Sequence, residues 1–278
     1  MNRWARWLAD NGTARYQLSR KKGWDAFVHS APRESFDVLT RTEMTRLSGE
    51  EREDYNEARM VWNANLPTIK TSQLTAAYSV IDQVLASGRR DGDKLRGSVV
   101  IDAEPGLGKT TIATRYARDF HRRAYRREGP VTLGGHQRLP VAFVPLSAGI
   151  TLKGLNQQIL RFYGHPAVDR ASTSKLGALA VDCVTSCETR LVVLDDLHFV
   201  DFKHRNGIEV SNHLKGLAND YLQLTPACPE RARREPEIPE ITSWTGLPSV
   251  VHHGTGGIDE GAACADAGHG VRVVDGAR

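Results

Sequence analysis

Apolar and polar positions alternate along this chain in blocks that predict helices and strands in turn. Leu74, Ala77, Tyr78, Ile81, Val84 and Leu85 recur at three- and four-residue steps, the stripe of an amphipathic helix ending near Ser87-Gly88. Gly97–Asp102 is a short run rich in β-branched residues and reads as a buried strand. A glycine-bearing loop and a helix from about Lys109 to Arg123 follow it. Pro140–Leu146 is a second apolar strand, and Arg190–Asp195 a third. Between these two lie a helix marked by Leu152, Leu155, Ile159 and Phe162, which Gly164 ends, and another over Ser172–Cys187 with Leu176, Leu179, Ala180 and Val184 inward. A further helix is predicted over Ile208–Leu217. Strands alternating with helices predict an α/β fold, three-layered α/β/α with a parallel sheet, whose ligands bind beyond the carboxyl ends of the strands.

The first 70 residues read as helices and loops. Ser48-Gly-Glu-Glu51 has the spacing of a capping box. It opens a helix through Tyr55, Ala58, Met60 and Trp62 that stops before Pro67. Trp4, Trp7 and Trp24 are anchors for these helices or for a partner protein. Beyond Asp220 the pattern changes. Tyr221–Thr225 is the one candidate strand, followed by scattered prolines, an arginine patch at Arg231, Arg233 and Arg234, and a Gly/Ala-rich end in which Val271–Val274 comes nearest to a strand but is very short. The expected organisation is a helical segment over 1–70, a nucleotide-binding domain over 71–220 and an irregular or disordered tail over 221–278. The tail's texture is that of a GC-rich gene translated out of frame.

The phosphate-binding chemistry lies at the first strand-to-helix turn. Ala103-Glu104-Pro105-Gly106-Leu107-Gly108-Lys109-Thr110 fits the phosphate-loop pattern, and it stands between a predicted strand and a predicted helix. Gly106 and Gly108 let the backbone curl so that N–H groups point at phosphate oxygens, and the helix start adds its positive end. Lys109 reaches the β- and γ-phosphates, the Thr110 hydroxyl joins the magnesium shell, and Thr111 is a second phosphate contact. The ligand is a nucleoside triphosphate, ATP or GTP, with Mg2+. At the third strand's end Asp195 is expected to bind magnesium and Asp196 to orient and deprotonate the attacking water.

These motifs, with Leu-Asp-Asp-Leu-His198 and the helix Asn212-His-Leu-Lys-Gly-Leu-Ala-Asn219, resemble the AAA+ ATPases that assist bacterial transposition, the TniB-like and TnsC-like proteins. The resemblance covers roughly residues 40–220; its phosphate loop is common to all P-loop proteins, and the acidic strand with the following helix is more specific. It implies a helper that binds ATP and Mg2+, assembles on double-stranded DNA by self-association, and recruits a transposase to its target. It also implies a Glu where Asp196 stands, and two more strands after the acidic one, the first bearing a polar sensor. The sensor and the inter-subunit arginine transfer to no residue of this chain, which puts turnover in doubt. Two other readings stay open: a P-loop ATPase of the signalling or replication-loader kind, and a nucleotide-binding scaffold that does not hydrolyse.

Composition narrows the classes. A net charge of +4 is compatible with nucleic acid without requiring it. Arg115, Arg118, Arg122, Arg123, Arg126 and Arg127 read first as a solvated helix face. The cysteines Cys183, Cys187, Cys228 and Cys264 lack zinc-ligand spacing and read as reduced thiols. His252-His253 reads as an exposed pair. No apolar run reaches the roughly 20 residues of a membrane span, and no secretory leader is evident, so a cytoplasmic location is expected.

Overall fold

The structure, a computed structural model, describes residues 1–87, 99–102, 106–197, 200, 204–222, 250–254 and 272–275; of residues 87, 102, 215–222, 250–254 and 272–275 it describes the backbone. The chain divides into two compact units. One comprises Met1–Tyr16 and His29–Lys70, the other Gln17–Val28 and Thr71–Arg278.

The first unit holds α1 (Arg3–Asn11), α3 (Arg41–Thr45) and α4 (Gly49–Ala64). Asn2 caps α1, its Oδ1 accepting from the N–H groups of Trp4 and Ala5 at 3.0 and 2.9 Å, while its Nδ2 donates to Asp54 on α4 at 2.6 Å. Trp4, Trp7, Phe36, Tyr55 and Ala58 are buried together. Trp4 meets Tyr55 edge-on at 4.9 Å and Trp7 meets Phe36 at 5.4 Å, geometries that complement the ring quadrupoles. The expected capping box at Ser48 is present: Glu51 N–H donates to Ser48 Oγ and Ser48 N–H to Glu51 Oε2. A second box, Thr40 with Glu43, opens α3.

The second unit is built on a five-stranded sheet. Its strands are β1 (Val99–Asp102), β2 (Val141–Pro145), β3 (Leu191–Asp195), β4 (Val250–Gly254) and β5 (Arg272–Asp275), in the order β2-β3-β4-β1-β5. Its helices are α2 (Lys21–His29, counted here through Val28), α5 (Ser72–Ser87), α6 (Lys109–Glu128), α7 (Leu152–Tyr163), α8 (Thr173–Ser186) and α9 (Arg205–Leu222). The predicted stripes are the buried ones: Leu74, Ala77, Ile81 and Val84 on α5, Leu155, Ile159 and Phe162 on α7, and Leu176, Ala180 and Val184 on α8. Gly164 ends α7 in the left-handed conformation, as its position just past the stripe requires.

Several expectations are corrected here. The sheet is not wholly parallel: β5 runs antiparallel to β1, whereas β1–β4, β4–β3 and β3–β2 are parallel. The stretch 221–278 was expected to be irregular, with a central strand missing. Instead, within the described residues of that stretch, Val250–Gly254 lies between β1 and β3, and His252-His253 falls within it. Two valines followed by two histidines have too little apolar character to show as a core strand, and backbone pairing on both sides makes it one. Tyr221 is helical, because α9 runs on to Leu222; residues 223–225 lie outside the described residues.

Helix α2 explains part of the arginine cluster. Trp24 is wholly buried, donates from Nε1 to His121 Nδ1 at 3.1 Å and stacks on Phe143 at 6.1 Å. The Val28 carbonyl near the end of α2 accepts from Arg122 Nε at 2.6 Å and Arg118 Nε at 3.4 Å, satisfying a helix-end carbonyl with a cation. Arg115 and Arg118 lie over the Phe27 ring, and Arg123 pairs with Asp82 of α5. Four of the six arginines therefore bind the helices together and do not form a free face.

Candidate functional site

Parallel pairing aligns the carboxyl ends of β1, β4 and β3. Asp102 is level with Gly254, and Leu194, one residue before the strand's end, with His252. The loop that leaves β1 and the acids that end β3 therefore emerge at the same edge of the sheet, where such folds hold their ligands.

Gly106 and Gly108 have φ of +85° and +82°, values an L side chain adopts only with strain. A Cβ at Gly106 would touch nothing within 4 Å, so it is the backbone conformation, not space, that calls for glycine. Gly108 is the N-cap of α6, with no side-chain cap of its own, and its carbonyl accepts from Ile112 N–H at 2.9 Å. The first N–H groups of a helix have no partner within it, and here they face the end of the loop that turns through the two glycines. Thr114 fastens the first turn from within, its hydroxyl donating to the Thr110 carbonyl at 2.7 Å. Ala103, Glu104 and Pro105, and His198 beyond the acids, lie outside the described residues.

The two motifs meet. Thr110 Oγ1 donates to Asp195 Oδ1 at 3.4 Å across a sequence separation of 85 residues. That oxygen also accepts the N–H of Asp196 at 3.0 Å, and the Asp195 carbonyl accepts from Leu146 N–H at 3.0 Å. Asp196 itself has φ +63°, left-handed backbone at a residue with a side chain. Only the presence of Asp at a strand-end turn hints at this in the sequence, aspartate being among the few residues that tolerate the conformation.

The donor chemistry fits the expected ligand. A hydroxyl and a carboxylate offer hard oxygens to a cation such as Mg2+, which takes its remaining positions from phosphate and water. Among the described residues no group of three or more His, Cys, Asp or Glu side chains could hold a metal. A cation here would thus be held jointly by Thr110, Asp195 and a bound nucleotide, lending its charge to the phosphates. Of the two described cysteines, burial pushes the Cys183 thiol up to about 11 and raises that of Cys187, while Cys228 and Cys264 lie outside the described residues.

Residues 91–228 match the family model described as AAA domain. The match supports an AAA-type P-loop ATPase domain with the α/β nucleotide-binding fold, and domains of this family generally bind ATP with Mg2+. No curated protein matches the chain. No helix among the described residues is long and apolar enough to cross a membrane.

Proposed function

We propose that the chain is a helper ATPase of the TniB-like kind, which binds ATP and Mg2+ and couples binding and hydrolysis to selection of a DNA target and recruitment of a transposase. The observation that carries the nucleotide half of this reading is the approach of Thr110 to Asp195 at 3.4 Å, phosphate loop to acidic strand. In that site Lys109 would hold the β- and γ-phosphates, Thr110 and Asp195 would hold the cation, and Asp196 would orient the attacking water. The transposition half is supported by Leu-Asp-Asp-Leu-His198 and the helix that follows it.

Binding of a fluorescent ATP analogue with magnesium, wild type beside Lys109→Ala, tests the first half. Saturable binding that falls at least tenfold in the variant is expected, since one charge-assisted phosphate contact is worth about 1.5–3 kcal/mol. Adding duplex DNA tests the second. A helper binds it more tightly with nucleotide than without, and loses affinity steeply between low and moderate salt. Nucleotide binding without turnover and without DNA binding would favour a non-hydrolysing scaffold.

A further inference from the structure

Among the described residues two non-glycine positions, Glu188 and Asp196, have positive φ, and Asp196 is the one that stands at the nucleotide site. Its neighbours are anchored on both sides. Asp195 closes β3 with its carbonyl bonded to Leu146 N–H. Leu197 is buried at 2% exposure, and its carbonyl accepts from the N–H of Val200, itself buried. The peptide between Asp195 and Asp196 is turned so that its N–H reaches Asp195 Oδ1 at 3.0 Å. With the peptide in that orientation, the chain passes from the strand to the buried Leu197 through a φ of +63° at Asp196.

We propose that the backbone of Asp196, separately from its carboxylate, is a positioning element for magnesium-nucleotide binding: its N–H tethers the Asp195 carboxylate in the orientation that meets Thr110. The proposal rests on the nucleotide-binding reading of this site. A carboxylate tethered to its neighbouring peptide surrenders rotamer freedom before the ligand arrives, so less is lost on binding. Left-handed backbone is open to Gly, Asn and Asp, is disfavoured for longer side chains and is an outlier for β-branched ones. The aspartate that stands here, where the resembling helpers carry glutamate, is among the residues that adopt this backbone with least strain. The same residue then serves twice, by N–H and by carboxylate.

The test is the tightening that Mg2+ gives to binding of a non-hydrolysable ATP analogue, measured with magnesium and with EDTA. It compares wild type with Asp196→Asn, Asp196→Gly, Asp196→Ala, Asp196→Val and the control Lys109→Ala. Thermal melting without nucleotide reports the fold of each. Asn and Gly keep the magnesium-dependent gain within about twofold while turnover falls, because the peptide orientation survives and the carboxylate does not. Val loses roughly tenfold of the gain, the equivalent of one disfavoured left-handed residue, and Ala falls between. If Val melts out, Ala against Gly carries the same comparison. Loss of the gain in a folded Gly variant, or its full retention in Ala, overturns the proposal. A wild type that shows no Lys109-dependent binding overturns the nucleotide reading and the proposal with it, and is told apart because it shows in the wild type alone.

Discussion

The guanidinium of Arg138 is almost wholly buried and shares its N–H groups among four acceptors: the carbonyls of Gly129 at 2.9 Å and Val131 at 3.1 Å, and the carboxylates of Glu128 and Glu188. Arg190 holds Glu128 from the outside. A buried charge persists only with its donors satisfied. Arg138→Leu would remove the buried partner of two partly exposed carboxylates and leave the Gly129 and Val131 carbonyls without their donor, and a loss of about 2–3 kcal/mol in urea unfolding is expected, less than for a fully buried pair because both glutamates reach solvent and Arg190 stays beside them. Hydrogen bonding from Arg190, then from Arg138, holds the Glu128 carboxyl below its ordinary 4.5. A lowered folded value means stabilisation that is complete above about 4.5 and lost as pH falls through the folded value. Denaturant midpoints measured from pH 7 down to pH 3 should therefore fall more steeply for wild type than for Arg190→Gln. At the site, Gly108→Ala should cost about 1–2 kcal/mol through its left-handed backbone, since the added Cβ meets only Thr111 Cβ at 3.9 Å. Melting of the variant checks that value. The left-handed turns at Gly106 and Gly108 were legible because their place in the pattern is a requirement of the backbone. The left-handed Asp196 was not, because its conformation is imposed by the buried residues around it.

At the scale of elements, caps and stripes carried the reading. Ser48 with Glu51 and the α5, α7 and α8 stripes were evident in the sequence because each is local chemistry with a fixed spacing. Thr40-Arg-Thr-Glu43 has the same box and stood equally open to view. Replacing Ser48 with Ala should lower stability by about 1 kcal/mol, read by thermal melting. Helix α2 was not predicted as an element, since Trp24 and Val28 are its only buried residues. Its place depends on His121, Phe143 and the arginines of α6, partners distant in sequence. Strand β4 was hidden for a similar reason, being defined by the two strands it joins. A chain ending at Leu222 would lack that join. Such a truncation should lose cooperative unfolding and Lys109-dependent nucleotide binding together, as circular dichroism melts and analogue binding would show.

For the whole molecule, ligand linkage gives the broadest check. If magnesium-nucleotide binds only the folded second unit, saturation at a hundred times the dissociation constant should stabilise it by about 2.7 kcal/mol. Lys109→Ala should abolish the corresponding rise in melting temperature. The first unit, with its own aromatic core, needs no such ligand and should melt at a temperature that nucleotide leaves unchanged.

The position of β4 bears on how the protein is made. Val99 pairs with Val251, and Val192 with Val250, so the two halves of the sheet are joined by a strand that follows both in sequence. Contacts so far apart in sequence form slowly, and β4 leaves the ribosome after the two strands it joins. Until β4 emerges the nascent chain would present the unpaired edges of β1 and β3, the state in which a chaperone would be needed most.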